Sequence, residues 1–380
     1  MQIDTAAHQK ASCQIKSLEV PFSESWNSLH QSETASGSLG PLLASSDGSS
    51  LTIAAWGGLG VDGHPGAGTS WRDSSISPMS RPPLGLEQHP APSIDQDIIG
   101  MLSVAYQQEA ELRPDAEYLH RHSPTSARHG PRLSAGMRRM GLGWMVEVAL
   151  DQGLTQEALS LAVSLLDRYM SAAQNIPVAK FQLVCTACLL IAAKHEEEVH
   201  PAVSELTGLS DGSFSEADLR CAELAVLQTL SYRVNCPTLY TFLLLLNRAL
   251  GLNPRSSALA CYLTELSMLE YGMLAFAPSH VACSAVALAN LYFNEPLPMS
   301  AMLATMPYTP ASLLPGMQAL LHLHQAAHGA PAGTEAAVVR DKFRAYEWQG
   351  AGTVHPFQSL PGSLTAGPWA LMGAGPPGKS

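Results

Sequence analysis

Charge is what this sequence is short of. Asp, Glu, Lys and Arg together make up 14% of its 380 residues, against about a quarter in an ordinary soluble domain. Of that charge, 32 residues are acidic and 21 basic, a formal net charge of −11. A nucleic-acid binder normally presents a basic face, so the balance speaks against that class. Long apolar runs are missing as well. The two best, Phe181–Ala193 and Val281–Phe293, fall short of the roughly 18 or more residues a membrane span needs and have the length of core helices. No membrane partner is expected. The opening residues, MQIDTAAHQK, lack a basic stretch followed by an apolar one, so no secretory leader is expected. The seven cysteines are an odd number, and most fall inside helical patterns. They are expected to be reduced and buried rather than paired in a disulfide framework. Groupings that would carry catalysis are missing too. There is no glycine-rich phosphate loop and no nucleophile–base arrangement. Cys185 and Cys188 lie on one helix without a second ligand pair, and the histidines of residues 322–328 have no metal-binding spacing with nearby acids. No catalytic residue, metal or cofactor is expected.

What the sequence does have is helical periodicity, framed by two low-complexity ends. Residues 1–94 are rich in Ser, Gly, Pro and His; stretches such as SETASGSLGPLLASSDGSS cannot bury enough apolar surface to offset chain entropy. A disordered tail is expected there and again over 348–380. Between them, apolar residues recur at helical spacing with no alternating strand run. Helices are predicted over Ser93–Leu112, over Met137–Gln152, from a Thr155 cap to about Ala172, over Val178–Glu196, and from a Ser215/Asp218 capping box to Leu230. Val178–Glu196 is apolar nearly all round, which places it at the centre of its neighbours. The scheme then restarts. Pro237 opens a Leu-rich helix to about Leu250, and Asn253–Pro254 opens another to Tyr271. Pro278–Phe293 is a second all-apolar helix, and Thr309–Pro310 starts a further one. The simplest account is an all-α chain with two similar domains, 95–235 (including a preceding helix) and 236–347.

From Met137 onward the residues become specific. MRRMGLGWMVEV, LSLAVSLLDRYMS, KFQLVCTACLLIAAKHEEE and CAELAVLQTLSYRVNCPT, in that order, resemble the cyclin box. PSHVACSAVALANLYF and VVRDKF resemble the matching helices of a cyclin's C-terminal domain, and QEAELRPDAEYLHR is similar to the N-terminal helix of mitotic A- and B-type cyclins. The resemblance runs from about Ile98 to His355. It implies two tandem five-helix cyclin-box domains preceded by an N-terminal helix, with disordered N- and C-terminal tails. It also implies a non-catalytic regulatory subunit that binds and activates a cyclin-dependent serine/threonine kinase in G2/M control, in the nucleus and cytoplasm.

The family's kinase contact, a lysine ending the third box helix and a glutamate in the fifth, maps onto Lys194 and Glu223. Helical spacing agrees independently. Lys194 continues the apolar stripe 183–187–190–191, and Glu223 lies within the stripe 219–223–226–227–230. Charges at core-facing positions are costly unless paired, so the two are expected to pair at the domain edge. Glu196 and Glu197 join them on another ground: acids at a helix C-terminus oppose the macrodipole, a position better motivated if a partner brings positive charge. Arg138 and Asp167 match the family's buried bridge between its first two box helices, and Arg168, next to Asp167, is expected to be the more exposed of the two. The family's substrate-docking patch corresponds to Met137, Met140, Trp144, Glu147 and Gln182. Its leucine and aspartate are replaced here by Gly141 and Gly143, which are expected to weaken the helix by about 1–2 kcal/mol against alanine and to leave a shallower groove.

In the N-terminal tail, Arg81-Pro-Pro-Leu84 has the Arg-x-x-Leu skeleton of a destruction box, which would bring in ubiquitin-ligase machinery. Ser77, Ser123 and Thr309 precede prolines and form candidate kinase sites, although Thr309 is better explained as a helix cap. Leu219-x-Cys221-x-Glu223 spells a retinoblastoma-binding pattern, but such ligands are extended and this one falls in a capped helix. The alternative reading is a cyclin-fold transcription adaptor of the general factor IIB or retinoblastoma type. The acidic balance and the pair Lys194/Glu223 speak against its DNA-binding version.

Overall fold

The computed structural model describes residues 95–121, 133–173, 176–295, 297, 302 and 304–361. Arg81, Leu84, Ser77 and Ser123 lie outside the described residues, as does the expected tail 1–94. Every regular element among the described residues is helical.

Local chemistry sets most of the helix ends. The first helix, α1 (Gln96–Leu112), is capped by Asp95, whose carboxylate accepts from the Asp97 amide; it stops ahead of Pro114, since a residue before proline avoids the helical region. A single turn follows, α2 (Tyr118–Arg121). Helix α3 (Ala135–Asp151) starts two residues ahead of the apolar pattern because Ser134, outside the stripe, receives the Met137 amide. Thr155 caps α4 (Gln156–Ala172). A 3-10 turn, Val178–Lys180, leads into α5 (Phe181–Glu196). The short α6 (Val203–Gly208) has no counterpart in the sequence pattern. Helix α7 (Glu216–Thr229) opens on the reciprocal Ser215–Asp218 box.

The second set opens with α8 (Leu239–Leu250), capped by Thr238 rather than started by Pro237 and closed by Gly251 in the left-handed region at φ 59°. Asn253 and Pro254 start α9 (Pro254–Leu269), with the 3-10 turn Tyr271–Ala275 after it. Helix α10 (Pro278–Phe293) follows, then α11 (Pro310–His328), capped by Thr309, and α12 (Glu335–Lys342), capped by Thr334.

Each set surrounds one apolar helix. In α5 everything from Phe181 to Ala193 except Gln182 is buried, against α3, α4 and α7. In α10, Ser279 through Asn290 are buried without exception, against α8, α9 and α11. The membrane expectation needs one correction. Taken with its leading 3-10 turn, Val178–Glu196 is long and apolar enough to cross a membrane by length and composition, but 78% of it is buried inside the fold. It is used as a core helix.

The two sets pack into one unit. Helix α12 lies against α3, and α8 against both α1 and α4. At this seam Lys342 and Glu265 form a buried ion pair at 2.8 Å, bridged by Gln156, which donates to Glu265 at 2.7 Å and accepts from Lys342 at 3.1 Å. Helix α1 is tied down by Glu109, whose carboxylate receives the Ser279 amide and hydroxyl, both at 2.6 Å. It thereby caps α10, whose own N-cap residue, Ala277, has no side-chain acceptor. The described residues continue past the expected boundary at 347, to residue 361, with 3-10 turns at Tyr346–Trp348 and Ala351–Thr353. His324 Nε2 bonds the Val354 carbonyl at 2.9 Å, and Phe357 stacks on Tyr292 with ring centroids 4.1 Å apart. Composition had suggested a tail because three or four anchoring side chains are too few to register as a periodic pattern.

Candidate functional site

Lys194, in the last turn of α5, and Glu223, midway along α7, meet at the rim of the first helical set. Nζ lies 2.5 Å from Oε1, and the side chains are 36% and 15% exposed. The stripe of α5 ends at Lys194 and that of α7 runs through Glu223, so each charge reaches the edge without leaving its stripe. An ion pair so open to solvent adds at most about 1 kcal/mol to folding. Val199, 88% exposed, and Leu224, 44% exposed, lie within a few residues of the pair along the chain and add apolar surface without a partner among the described residues.

Glu196 and Glu197 part ways. Glu196 is exposed and bonds the neighbouring His195 ring at 2.8 Å. Glu197 is the C-cap of α5, and its carboxylate accepts from both the Thr155 amide (2.7 Å) and the Thr155 hydroxyl (2.8 Å). The acid that looked misplaced at one helix C-terminus therefore sits at the N-terminus of another, where the dipole favours it. Its electrostatic motive is internal to the fold and requires no cation from a partner.

Arg138 and Asp167 form a buried bidentate pair at 2.9 and 2.7 Å, with side chains 1% and 4% exposed. Burial alone pulls the Arg138 pKa down, but Asp167 and Tyr118 outweigh it and hold the guanidinium above its ordinary value. The Tyr118 hydroxyl donates to Asp167 at 2.9 Å. Arg138 also donates to the Met268 carbonyl at 3.0 Å, so the bridge reaches the end of α9 in the second set. Arg168 is the more exposed of the two, as expected, but only at 7% against 3% for Asp167, and it donates to the Arg233 carbonyl at 2.7 Å. The chain leaving α7 covers this face of α4, as the contact between Ser164 and Cys236 also shows.

The docking residues on α3 divide in a similar way. Met137 is 3% exposed and belongs to the core, a correction to its place in the patch. Met140, Trp144 and Gln182 are half-buried and Glu147 is exposed. The two glycines do not leave an open groove. A Cβ on Gly141 would run into the Phe181 ring, and one on Gly143 would lie 2.8 Å from Glu335 Cβ. Both positions are glycine because another side chain lies flat on the helix there. Leu219 is fully buried within α7, so the Leu-x-Cys-x-Glu pattern is not an extended ligand.

Comparison with known proteins matches residues 100–235 to the family model "Cyclin, N-terminal domain" and residues 237–350 to "Cyclin, C-terminal domain". Cyclin-A1 of Mus musculus is 32% identical over 290 residues, covering 76% of this chain and 68% of that protein. The chain belongs to the cyclin family. Cyclin-A1 of Carassius auratus is 31% identical over 277 residues, covering 73% of this cyclin and 69% of that one. The G2/mitotic-specific cyclin-2 of Medicago sativa is 38% identical over 170 residues, 45% of this chain and 52% of that protein.

Two features of this cyclin's surfaces escaped the sequence reading. Glu197 had a partner 42 residues away in Thr155, and no spacing rule within a helix reveals it. Glu335 carries no motif of its own; the one signal for it is Gly143, since a glycine inside a helix that is not at its end marks a close approach.

Proposed function

We propose that this cyclin is the regulatory subunit of a cyclin-dependent serine/threonine kinase, which it binds and activates in G2/M control without catalytic groups of its own. The observation that carries the reading is the Lys194–Glu223 pair, 2.5 Å apart at the rim, with the lysine exposed and the glutamate half-buried. It adds little to folding, yet two core stripes converge to present it, as an interface would require. The A-type and G2/mitotic names of its relatives supply the cell-cycle context. Activation is a shift between two kinase conformations: binding stabilises the one for which this surface has the greater affinity. On the neighbouring face, Met140, Trp144, Glu147 and Gln182 form a surface for docking the kinase's substrates. In the N-terminal region, Arg81 and Leu84 serve as a destruction signal read by ubiquitin-ligase machinery, with the protein working in the nucleus and cytoplasm. The test is co-purification of the full chain with a panel of cyclin-dependent kinases, followed by phosphorylation of histone. Kinase recovered and stimulated supports the reading; a chain that recovers no member of the panel removes it.

A further inference from the structure

We infer that the second helical set carries a small-molecule site of its own: the cavity between α8 and α9, closed by the turn Tyr346–Trp348, takes an organic cation with a flat apolar body. It uses none of the residues assigned above to the kinase or to its substrates, and it stands or falls apart from them.

The cavity measures about 300 Å³, the lower end of the range for small-ligand sites. Leu243, Leu244 and Asn247 share one face of α8 by helical spacing, and Pro254, Ser257 and Cys261 share one face of α9; all six line the cavity. Leu244 stays 37% exposed, a large apolar side chain that neither helix covers. Trp348 completes the wall and is backed by the buried Phe343 ring at 4.6 Å. Next to it, Gln349 sits in the left-handed region at φ 51°, which residues other than glycine seldom hold. Strain of this kind persists where the surroundings fix it. Here the Gly352 amide, bonded to the Phe343 carbonyl at 2.9 Å, anchors the turn.

Polar side chains converge on this space without partners. Tyr240, Asn247, Ser257, Glu347 and Gln349 all line it. Among the described residues, none of these five side chains makes a hydrogen bond or an ion pair. Elsewhere in the second set such groups are matched: Gln325 donates to the Phe357 carbonyl, and Tyr292 bonds His324. Tyr240, Asn247 and Ser257 are half-buried, so they have given up part of their hydration without a bond in return. A ligand with a donor and an acceptor restores it.

Charge sets the sign of that ligand. No lysine or arginine lines the cavity, whereas Glu347 does. The Glu157 charge reaches the same space, since it adds to burial and to Cys261 in raising the Tyr240 pKa. Nearby cations are committed elsewhere. Lys342 is held by Glu265 at 2.8 Å, and Arg255 lies over the Phe293 ring at 4.7 Å. The field in the cavity is therefore negative. Tyr240 and Trp348 add aromatic faces, to which a cation is also attracted, and the leucines accept an apolar body.

The test uses the full chain and three probes that share one indole ring: tryptamine, a cation near pH 7, tryptophol, which is neutral, and indole acetate, an anion. Affinities are read by saturation-transfer NMR titration. Tryptamine should bind about fivefold tighter than tryptophol, the scale of one exposed charge contact, and indole acetate should bind most weakly. Glu157→Gln with Glu347→Gln should bring tryptamine level with tryptophol at an unchanged melting temperature, because neither carboxylate has a partner to lose. Ser257→Phe, which fills the cavity from α9, should remove binding of all three; the double glutamine variant decides the matter if Ser257→Phe does not fold. A wild type that binds all three alike, or none of them, overturns the inference. So does a double variant that keeps the preference for tryptamine, or a folded Ser257→Phe chain that binds as the wild type does.

Discussion

Asp167→Asn should cost this cyclin much of its stability, and the structure sets the size. Arg138 is 1% exposed and its partner 4%, so neither charge has water to fall back on. The substitution keeps the shape but turns one accepting oxygen into an amide that faces the guanidinium. It removes a charge-assisted bond of 2.7 or 2.9 Å and leaves the arginine charge buried without its counterion. Loss of one partner of a buried pair typically costs about 3–5 kcal/mol. For a chain with roughly this much folded structure each kcal/mol moves the melting temperature by about 2–4 °C, so a fall of about 6–20 °C is expected in differential scanning calorimetry. Removing both charges with Arg138→Met and Asp167→Leu should restore at least half of that loss, since the penalty lies in the orphaned charge more than in the missing attraction. The exposed pair Arg220–Glu216, at 61% and 49% exposure, is the control: Glu216→Gln should change stability by less than about 0.5 kcal/mol. An Asp167→Asn chain that melts with the wild type would falsify the account of Arg138 as the tie between the two helical sets.

Three further outcomes are expected. Lys194→Ala with Glu223→Ala should weaken kinase binding by 30-fold or more, on the scale of about 2–5 kcal/mol for an interface charge pair, with an unchanged circular dichroism spectrum; kinase pulled down at wild-type levels would show that the pair is not the anchor. Burial depresses the His324 pKa from 6.5 to about 4, with the nearby His328 and His355 adding to the effect against the Val354 bond. A base with a depressed folded pKa contributes stability that is present above 6.5 and lost as pH falls toward 4, here about 3 kcal/mol; urea titrations across that window should show the loss, and a His324→Gln chain that loses the same amount would locate it elsewhere. Arg81→Ala with Leu84→Ala should lengthen the half-life in mitotic extracts, and equal turnover of variant and wild type would rule out the destruction signal.

Much of the fold was legible because the signals are local. Thr155, the Ser215–Asp218 box, Asn253–Pro254, Pro278 and Thr309 mark helix starts through contacts within a single turn, and such contacts are written in adjacent residues. The two central helices announced themselves by being apolar all round. The meeting of Lys194 and Glu223 was also within reach, because each charge interrupts an apolar stripe whose direction helical spacing fixes. Met137 shows where spacing fails. It shares a face with Met140, but how deep that face lies depends on what is packed above it.

The sequence by itself determined the long helices, their order and the two apolar stripes that carry Lys194 and Glu223. Tertiary structure alone decided which charges are spoken for. Thr155 reaches Glu197 across 42 residues, Arg138 reaches Met268 across 130, and Glu335 comes down on Gly143 from the other helical set. A side chain's helix position follows from short-range spacing, but its partner follows from how whole helices pack. That packing is set by the summed burial of many apolar residues, and no motif around a single charge encodes it.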